Sequence, residues 1–287
     1  MSVDTSLSEA SRAVLPRMVG RAHVRFAMRG GETRLSGLDQ VAPLRVLFPR
    51  TEVDEPPLAA VTTVSGGLVG GDRLDMSIAL EEGASAVAMG QAAEKVYRST
   101  GPDSQVEIAL LVGPGGWLEW LPQETILFDG SRLARRTSID LHATGRLMAG
   151  ECVVFGRLAR GEVMRNGFLR DTWEVRRDGR LVWADALMVD DDIFARLEAP
   201  VGFGGARAYA TALYCGPNVT DHMERAKALT ENLEGVRAGA TCVHGVLVAR
   251  WLSEDPLALR GAFERYWMEM RRAAGGLPAR LPRLWYI

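Results

Sequence analysis

The chain has 287 residues and a formal net charge of −2, so it presents no broad basic field for nucleic acid. Apolar residues make up 47% and charged residues 24%, the balance of a globular protein with a sizeable core rather than of a disordered chain. Its three cysteines are far apart and odd in number, which argues against a disulfide framework and for a reduced, cytoplasmic setting.

Residues 1–20 are polar and small, without the apolar centre of a signal peptide, and are expected to form a flexible N-terminal segment. No later stretch has the length of a membrane span; even GVLVARWL is broken by Arg250. From about residue 21 to 215 the dominant period is two. Leu74, Met76, Ile78 and Leu80 alternate with polar or small residues, as do Val106, Ile108, Leu110 and Val112. Leu133, Ile139 and Leu141 keep the pattern less cleanly. Glycine turns recur between these runs, at Gly30–Gly31, Glu82–Gly83, Gly113 to Gly116 and Asp129–Gly130 among others. The pattern predicts a mainly β body of many short strands, a sandwich, barrel or solenoid, although no fixed-length repeat can be counted.

The tail, about 216–287, changes character. Asp221 and Glu224 predict a helix start, Met223, Ala226, Leu229 and Leu233 its apolar face, and Gly235 its stop. Thr241 to Leu252 is expected to return as a strand. Asp255–Pro256 opens a second helix with Leu259, Phe263, Tyr266, Trp267 and Met270 on its stripe, closed by Gly275–Gly276. No linker separates body from tail, so residues 21–287 are expected to form one domain.

Several stretches bear on function. SGGLVGGDRLD (65–75) looks like a phosphate cradle, but Asp72–Arg73 stand where a phosphate loop needs lysine and a hydroxyl, and a strand pattern follows. A tight glycine bend is the plainer reading. Cys242 and His244 are the only near neighbours among the thiols and imidazoles, too few ligands for a structural zinc site. Asp72, Glu124, Asp129, Glu151 and Glu162 stand beside glycine turns or aromatic strands. A pair of them could do acid–base work on a β-scaffold, as in glycoside hydrolases; the other alternative is a plain β interaction module. Two blocks would be costly ways to build a plain strand and turn: GQAAEKVYRS (90–99) and WLEWLPQETILFDGSR (117–132).

Taken together the chain resembles the urease accessory protein family UreD, also called UreH. The resemblance is carried by APLRVLFP (42–49), GGLVGGDRLD (66–75), AEKVYRS (93–99), LEWLPQETILFDGSR (118–132), GECVVFGR with its later RGE (150–162) and the closing LPRLWYI. It implies a β-helical body of stacked sheets with two C-terminal α-helices. It implies a non-enzymatic chaperone that binds a UreF-type helical protein and a UreG-type GTPase, docks on apo-urease and conducts Ni(II) into its active site. No cofactor is expected to be tightly bound, only nickel in passage. On this resemblance Asp72, Glu124, Asp129 and Glu151 are the expected transient nickel ligands, with Asp72 and Asp129 held as waypoints on their glycine turns. Scattered carboxylates, carbonyls and water suit an ion that must be released, whereas thiolate and imidazole cages hold too tightly.

Overall fold

The computed structural model describes residues 17–287. The expected N-terminal segment therefore falls mostly on residues 1–16, outside the described residues; its last part is no tail, because Val19 already opens a strand.

The described chain begins with an antiparallel hairpin, β1 (Val19–Arg29) and β2 (Glu32–Val41), and the short β3 (Leu44–Leu47). It then winds in coils through β4 (Leu58–Thr63), β5 (Arg73–Leu80), β6 (Ser85–Gly90), β7 (Glu94–Val96) and β8 (Ser104–Val112). The winding continues through β9 (Trp117–Leu121), β10 (Thr125–Leu127), β11 (Arg132–Leu141), β12 (Arg146–Phe155) and β13 (Asn166–Arg177). An antiparallel return, β14 (Arg180–Asp192), leads into a short helix α1 (Ile193–Glu198) and β15 (Ala208–Cys215). The chain ends with α2 (Met223–Thr230), the hairpin β16 (Val236–Val243) and β17 (Val246–Ser253), and the long α3 (Pro256–Gly275).

Each coil gives one strand to an outer sheet and one to a middle sheet, so the strands at the centre of both sheets pair in parallel. The outer sheet runs β14-β13-β11-β8-β5-β1-β2; the middle sheet runs β16-β17-β15-β12-β9-β6-β4-β3. This is the stacked-coil body the resemblance implied. The coils differ in length: Arg73 lies beside Gln105, Gln105 beside Ala134, and Ala134 beside Arg170. A repeat of unequal length leaves no countable period in the sequence.

Two cores follow from the layering. One lies between the sheets and takes Leu74, Ile78, Leu110, Ile139 and Val175 from the outer sheet. The second lies between the middle sheet and the helices, around Trp251, Phe263 and Trp267. The middle sheet is covered on both faces, so β9 is buried throughout and β12 almost so, and neither shows the clean alternation of β5 and β8.

The helices and the tail depart from expectation in detail. Helix α1 was not foreseen; its Ile193 and Leu197 enter the first core. α2 ends at Thr230, before Leu233, and no side chain caps its start. Cys242 and His244 do not share a strand face, because the strand expected over 241–252 is a hairpin whose turn holds His244 at φ +48°. α3 matches closely: the Asp255 carboxylate accepts from Leu257 N, Pro256 begins the helix, and Gly276 at φ +68° ends it.

Candidate functional site

Between the two sheets the coils turn a third, short face. It is built by the parallel pairing of β7 with β10 and of β10 with β12, and by a bridge from Leu68 to Val96. The glycines of SGGLVGGD serve this corner. A Cβ on Gly67 would lie 2.4 Å from the Lys95 carbonyl, and one on Gly70 would lie 2.1 Å from Ser99 Oγ. Only glycine lets consecutive coils stack so closely, and the loop cradles neighbouring backbone rather than phosphate.

Behind this face lies a cavity of about 200 Å³. It opens at exposed Gly66 and Ala92 and runs inward to buried Arg135 and Glu151. Its wall is mainly apolar, with Leu44, Leu68, Met76, Ile108 and Trp120, and carries the oxygens of Thr62, Thr63, Glu94, Gln123, Thr125 and Glu151 beside the cations Lys95 and Arg135. Glu94 accepts a 2.5 Å hydrogen bond from Thr63 Oγ1, and burial pushes its carboxyl above the usual range.

The inner end is a buried charge cluster. Arg135 donates to both oxygens of Asp171, at 3.1 and 2.7 Å, and to Thr125 Oγ1 at 3.0 Å, and it pairs with Glu151. One guanidinium thus faces two carboxylates, all three groups nearly withdrawn from the surface at the inner end of the cavity. Burial raises Glu151 well above the usual carboxylate range, and Glu151 hydrogen-bonds Asp171. Burial alone would raise Asp171 as well, but the adjacent Arg135 charge holds it below its ordinary value. The cluster is neutral when Glu151 keeps its proton and Asp171 does not. Trp173 Nε1 donates to Glu151 at 3.3 Å.

The four expected nickel ligands are not brought together. Glu151 lines the cavity. Asp72 does not: it is 1% exposed, and its two oxygens accept the Met18 and Val69 N–H groups, both at 2.9 Å. Glu124 pairs with Arg260 of α3 at 2.6 Å. Asp129 lines a separate surface cleft, where it accepts from Arg165 N at 2.8 Å, Asn166 N at 3.1 Å and Arg98 Nη2 at 3.0 Å. Burial works against its ionisation, but these donors win and hold its carboxyl below the usual range. Glu94, Arg135 and Asp171 went unnoticed in the sequence. The signal was there for Arg135: the imperfect alternation of β11 arises because Arg135 and Thr137 occupy inward positions. No group of three or more His, Cys, Asp or Glu among the described residues is disposed to hold a metal ion.

The model of the UreD urease accessory protein family matches residues 18–286. Similar proteins include the urease accessory protein UreD of Magnetococcus marinus, 47% identical over 93% of this chain and 94% of its own length. That of Azorhizobium caulinodans is 40% identical over 94% and 97%, and that of Rhodopseudomonas palustris strain BisA53 is 39% identical over 99% and 96%. The chain belongs to the UreD family.

In this UreD-family chain the blocks that carried the resemblance converge on the third face and its surroundings. Glu94 comes from AEKVYRS, Gln123 and Thr125 from LPQETILFDG, and Glu151 from GECVVFGR. The closing LPRLWYI buries Trp285 in the second core, where its carbonyl accepts from Gln123 Nε2 at 3.1 Å and Arg260 Nη2 at 2.5 Å. None of the described helices of this UreD-family chain is long and apolar enough to cross a membrane.

Proposed function

We propose that the chain is a non-catalytic urease maturation chaperone that conducts Ni(II) toward apo-urease, working in a complex with a UreF-type helical protein and a UreG-type GTPase. Membership of a urease accessory family supports the maturation role. The observation that carries the finer reading is the cavity from Gly66 and Ala92 to Glu151, whose mainly apolar wall presents a few carboxylate, hydroxyl and amide oxygens. Carboxylate, hydroxyl and amide oxygens bind a hydrated divalent ion weakly and give it up again, as a conduit requires. Of the four carboxylates expected in the path we keep Glu151 and add Glu94. Both hold protons more firmly than ordinary carboxylates, so an entering cation displaces a proton and uptake strengthens with rising pH. Asp72 and Glu124 are left out of the path because neither lines the cavity.

The test is the nickel content of urease matured with the wild type, with Glu94→Gln and Glu151→Gln, and with no accessory protein. The reading expects nickel to fall in both variants while the complex with the accessory partners is recovered intact. Full nickel loading in the double variant would remove the conduit. Normal urease nickel without the chain would remove the maturation role.

A further inference from the structure

A surface cleft of about 570 Å³ lies apart from the cavity and is lined by Tyr97, Arg98, Phe128, Asp129, Arg157, Glu162 and Arg165 among others. All but Arg165, which follows three residues after RGE, come from three blocks that stood out in the sequence and that the conduit leaves unexplained: YRS, FDG, and GR with its later RGE.

The acceptors in this cleft are consumed. Asp129 takes two backbone N–H groups and Arg98, as described above. Glu162 accepts from Asp129 N at 3.2 Å and from Arg157 Nε at 3.0 Å. The donors are not consumed. Arg157 uses Nε and Nη2 on the Glu162 carboxylate, Arg98 uses Nη2 on the Asp129 carboxylate and Nε on the Asp129 main-chain carbonyl, and both leave Nη1 without a partner among the described residues. The exposed Arg165 makes no ion pair among the described residues; its guanidinium lies over the Phe194 ring at 5.4 Å. The side chains of Arg98 and Arg157 are 70% and 43% exposed. The two carboxylates thus orient arginines whose remaining N–H groups face solvent.

The scaffold is fixed in place. A Cβ on Gly156, at φ +101°, would lie 2.4 Å from the Glu162 carbonyl. Phe128 is buried under Arg157, whose guanidinium sits 4.3 Å above its ring, and Tyr97 meets the same ring edge-on at 4.9 Å. Oriented arginine and tyrosine around a small apolar floor is the composition of an interface hot spot.

We infer that this cleft is a docking site for an acidic segment of a protein partner, read by Arg98, Arg157 and Arg165. The inference rests on the accessory-complex reading for the partner's identity, but its chemistry is testable alone. The test uses the full chain and an R98A/R157A/R165A variant. Asp129 keeps its two backbone donors in that variant, and an unchanged melting temperature verifies the fold.

Two measurements are made on each protein. The first is binding of a labelled deca-glutamate peptide, with a deca-lysine peptide and inorganic phosphate as controls. The second is affinity for the accessory partners and apo-urease across a salt series. The expected result is deca-glutamate binding by the wild type, weakened about tenfold or more in the variant, with a flattened salt dependence of partner binding. Unchanged deca-glutamate binding in the variant overturns the proposal. So does a wild type that binds phosphate as well as the peptide, which makes the cleft a small-anion site. Should the wild type bind none of the partners, the accessory-complex reading fails, and the peptide measurement still decides the chemistry of the cleft.

Discussion

Arg135 is the residue on which the interior depends most. It neutralises Asp171 and holds Glu151 at the end of the cavity, and all three are buried. Replacing it with alanine strands an ionised Asp171 out of water, and the expected loss is about 3–5 kcal/mol, read from the midpoint of a urea titration. Glu151→Gln should behave differently. Glutamine mimics the protonated carboxyl, so, at pH values where Glu151 keeps its proton, stability is expected to stay within about 1 kcal/mol of the wild type. The pH profile should separate the two proteins. Because the folded pKa of Glu151 is raised, its stabilisation is fully present below the ordinary carboxyl value of 4.5 and is lost as pH climbs through the raised value. The wild type should therefore lose melting temperature as pH rises from 4.5 through the raised value and level off beyond it, and the glutamine variant should lose less. Asp72→Ala removes two backbone acceptances; by analogy with helix caps it should cost about 0.5–2 kcal/mol. Nickel loading per folded molecule should be unchanged, and a specific loss of nickel would return Asp72 to the path.

At the scale of elements, the C-terminal segment and α3 brace the cavity wall. Arg260 of α3 reaches both Glu124 and the Trp285 carbonyl, and Gln123 donates to that same carbonyl. The turn that carries Gln123 into the cavity is thereby tied to the far side of the middle sheet. Arg260→Ala should lower stability by about 1–2 kcal/mol, since the pair is partly exposed. It should also speed amide hydrogen exchange around 122–125 and 285; protection unchanged at both places would show that the brace is idle. A second buried hub fixes the other end of α3. Arg271 bonds Glu119 at 3.0 to 3.1 Å, Glu55 at 2.7 Å and the carbonyls of Pro278 and Arg280, while Trp267 Nε1 donates to Glu119 at 2.8 Å. With every polar atom answered, such a network is strongly destabilised by removal of one member, not by burial itself. Among the turns, Gly67→Ala tests the corner: a Cβ there meets the Lys95 carbonyl, and φ is +139°. The expected cost is about 1–3 kcal/mol by thermal or urea unfolding.

For the whole molecule, the distribution of apolar surface is uneven. β2 is one edge of the outer sheet, opposite β14, and β3 is one edge of the middle sheet, opposite β16; Val19, Leu35, Leu38, Val41, Leu47 and Phe48, on or beside β1, β2 and β3, are exposed. An unpaired edge beside exposed apolar side chains favours association. The purified chain alone should self-associate with rising concentration, and Leu35→Lys with Leu38→Lys should reduce this in light scattering without lowering the melting temperature. Co-expression with the accessory partners should likewise improve recovery. A monodisperse wild type at high concentration would show that this edge is adequately protected.

How much of this could be read from the chain alone follows from which interactions are local. Helix α3 was legible because its cap, its proline, its apolar stripe and its terminal glycine are all local features, and they agree. The strands of the outer sheet were legible because one face meets the core and the other meets water, which imposes period two. The family resemblance rested on contiguous blocks and located most of the residues that line the cavity, without showing which of them face it. The hairpin at 236–253 and helix α1 were misread because their signals are weak next to the apolar runs that contain them. The strand order, the unequal coils and the meeting of Arg135, Glu151 and Asp171 were decided only by tertiary structure. Each depends on parallel pairing between strands roughly thirty residues apart, and nothing in a local pattern fixes that register. The same holds for the roles of the carboxylates. Asp72, Glu124, Asp129 and Glu151 all stand near glycines or aromatic strands in the sequence, but their partners come from distant segments, and it is the partner that makes one a cap, one a brace, one a holder of arginines and one a lining of the cavity.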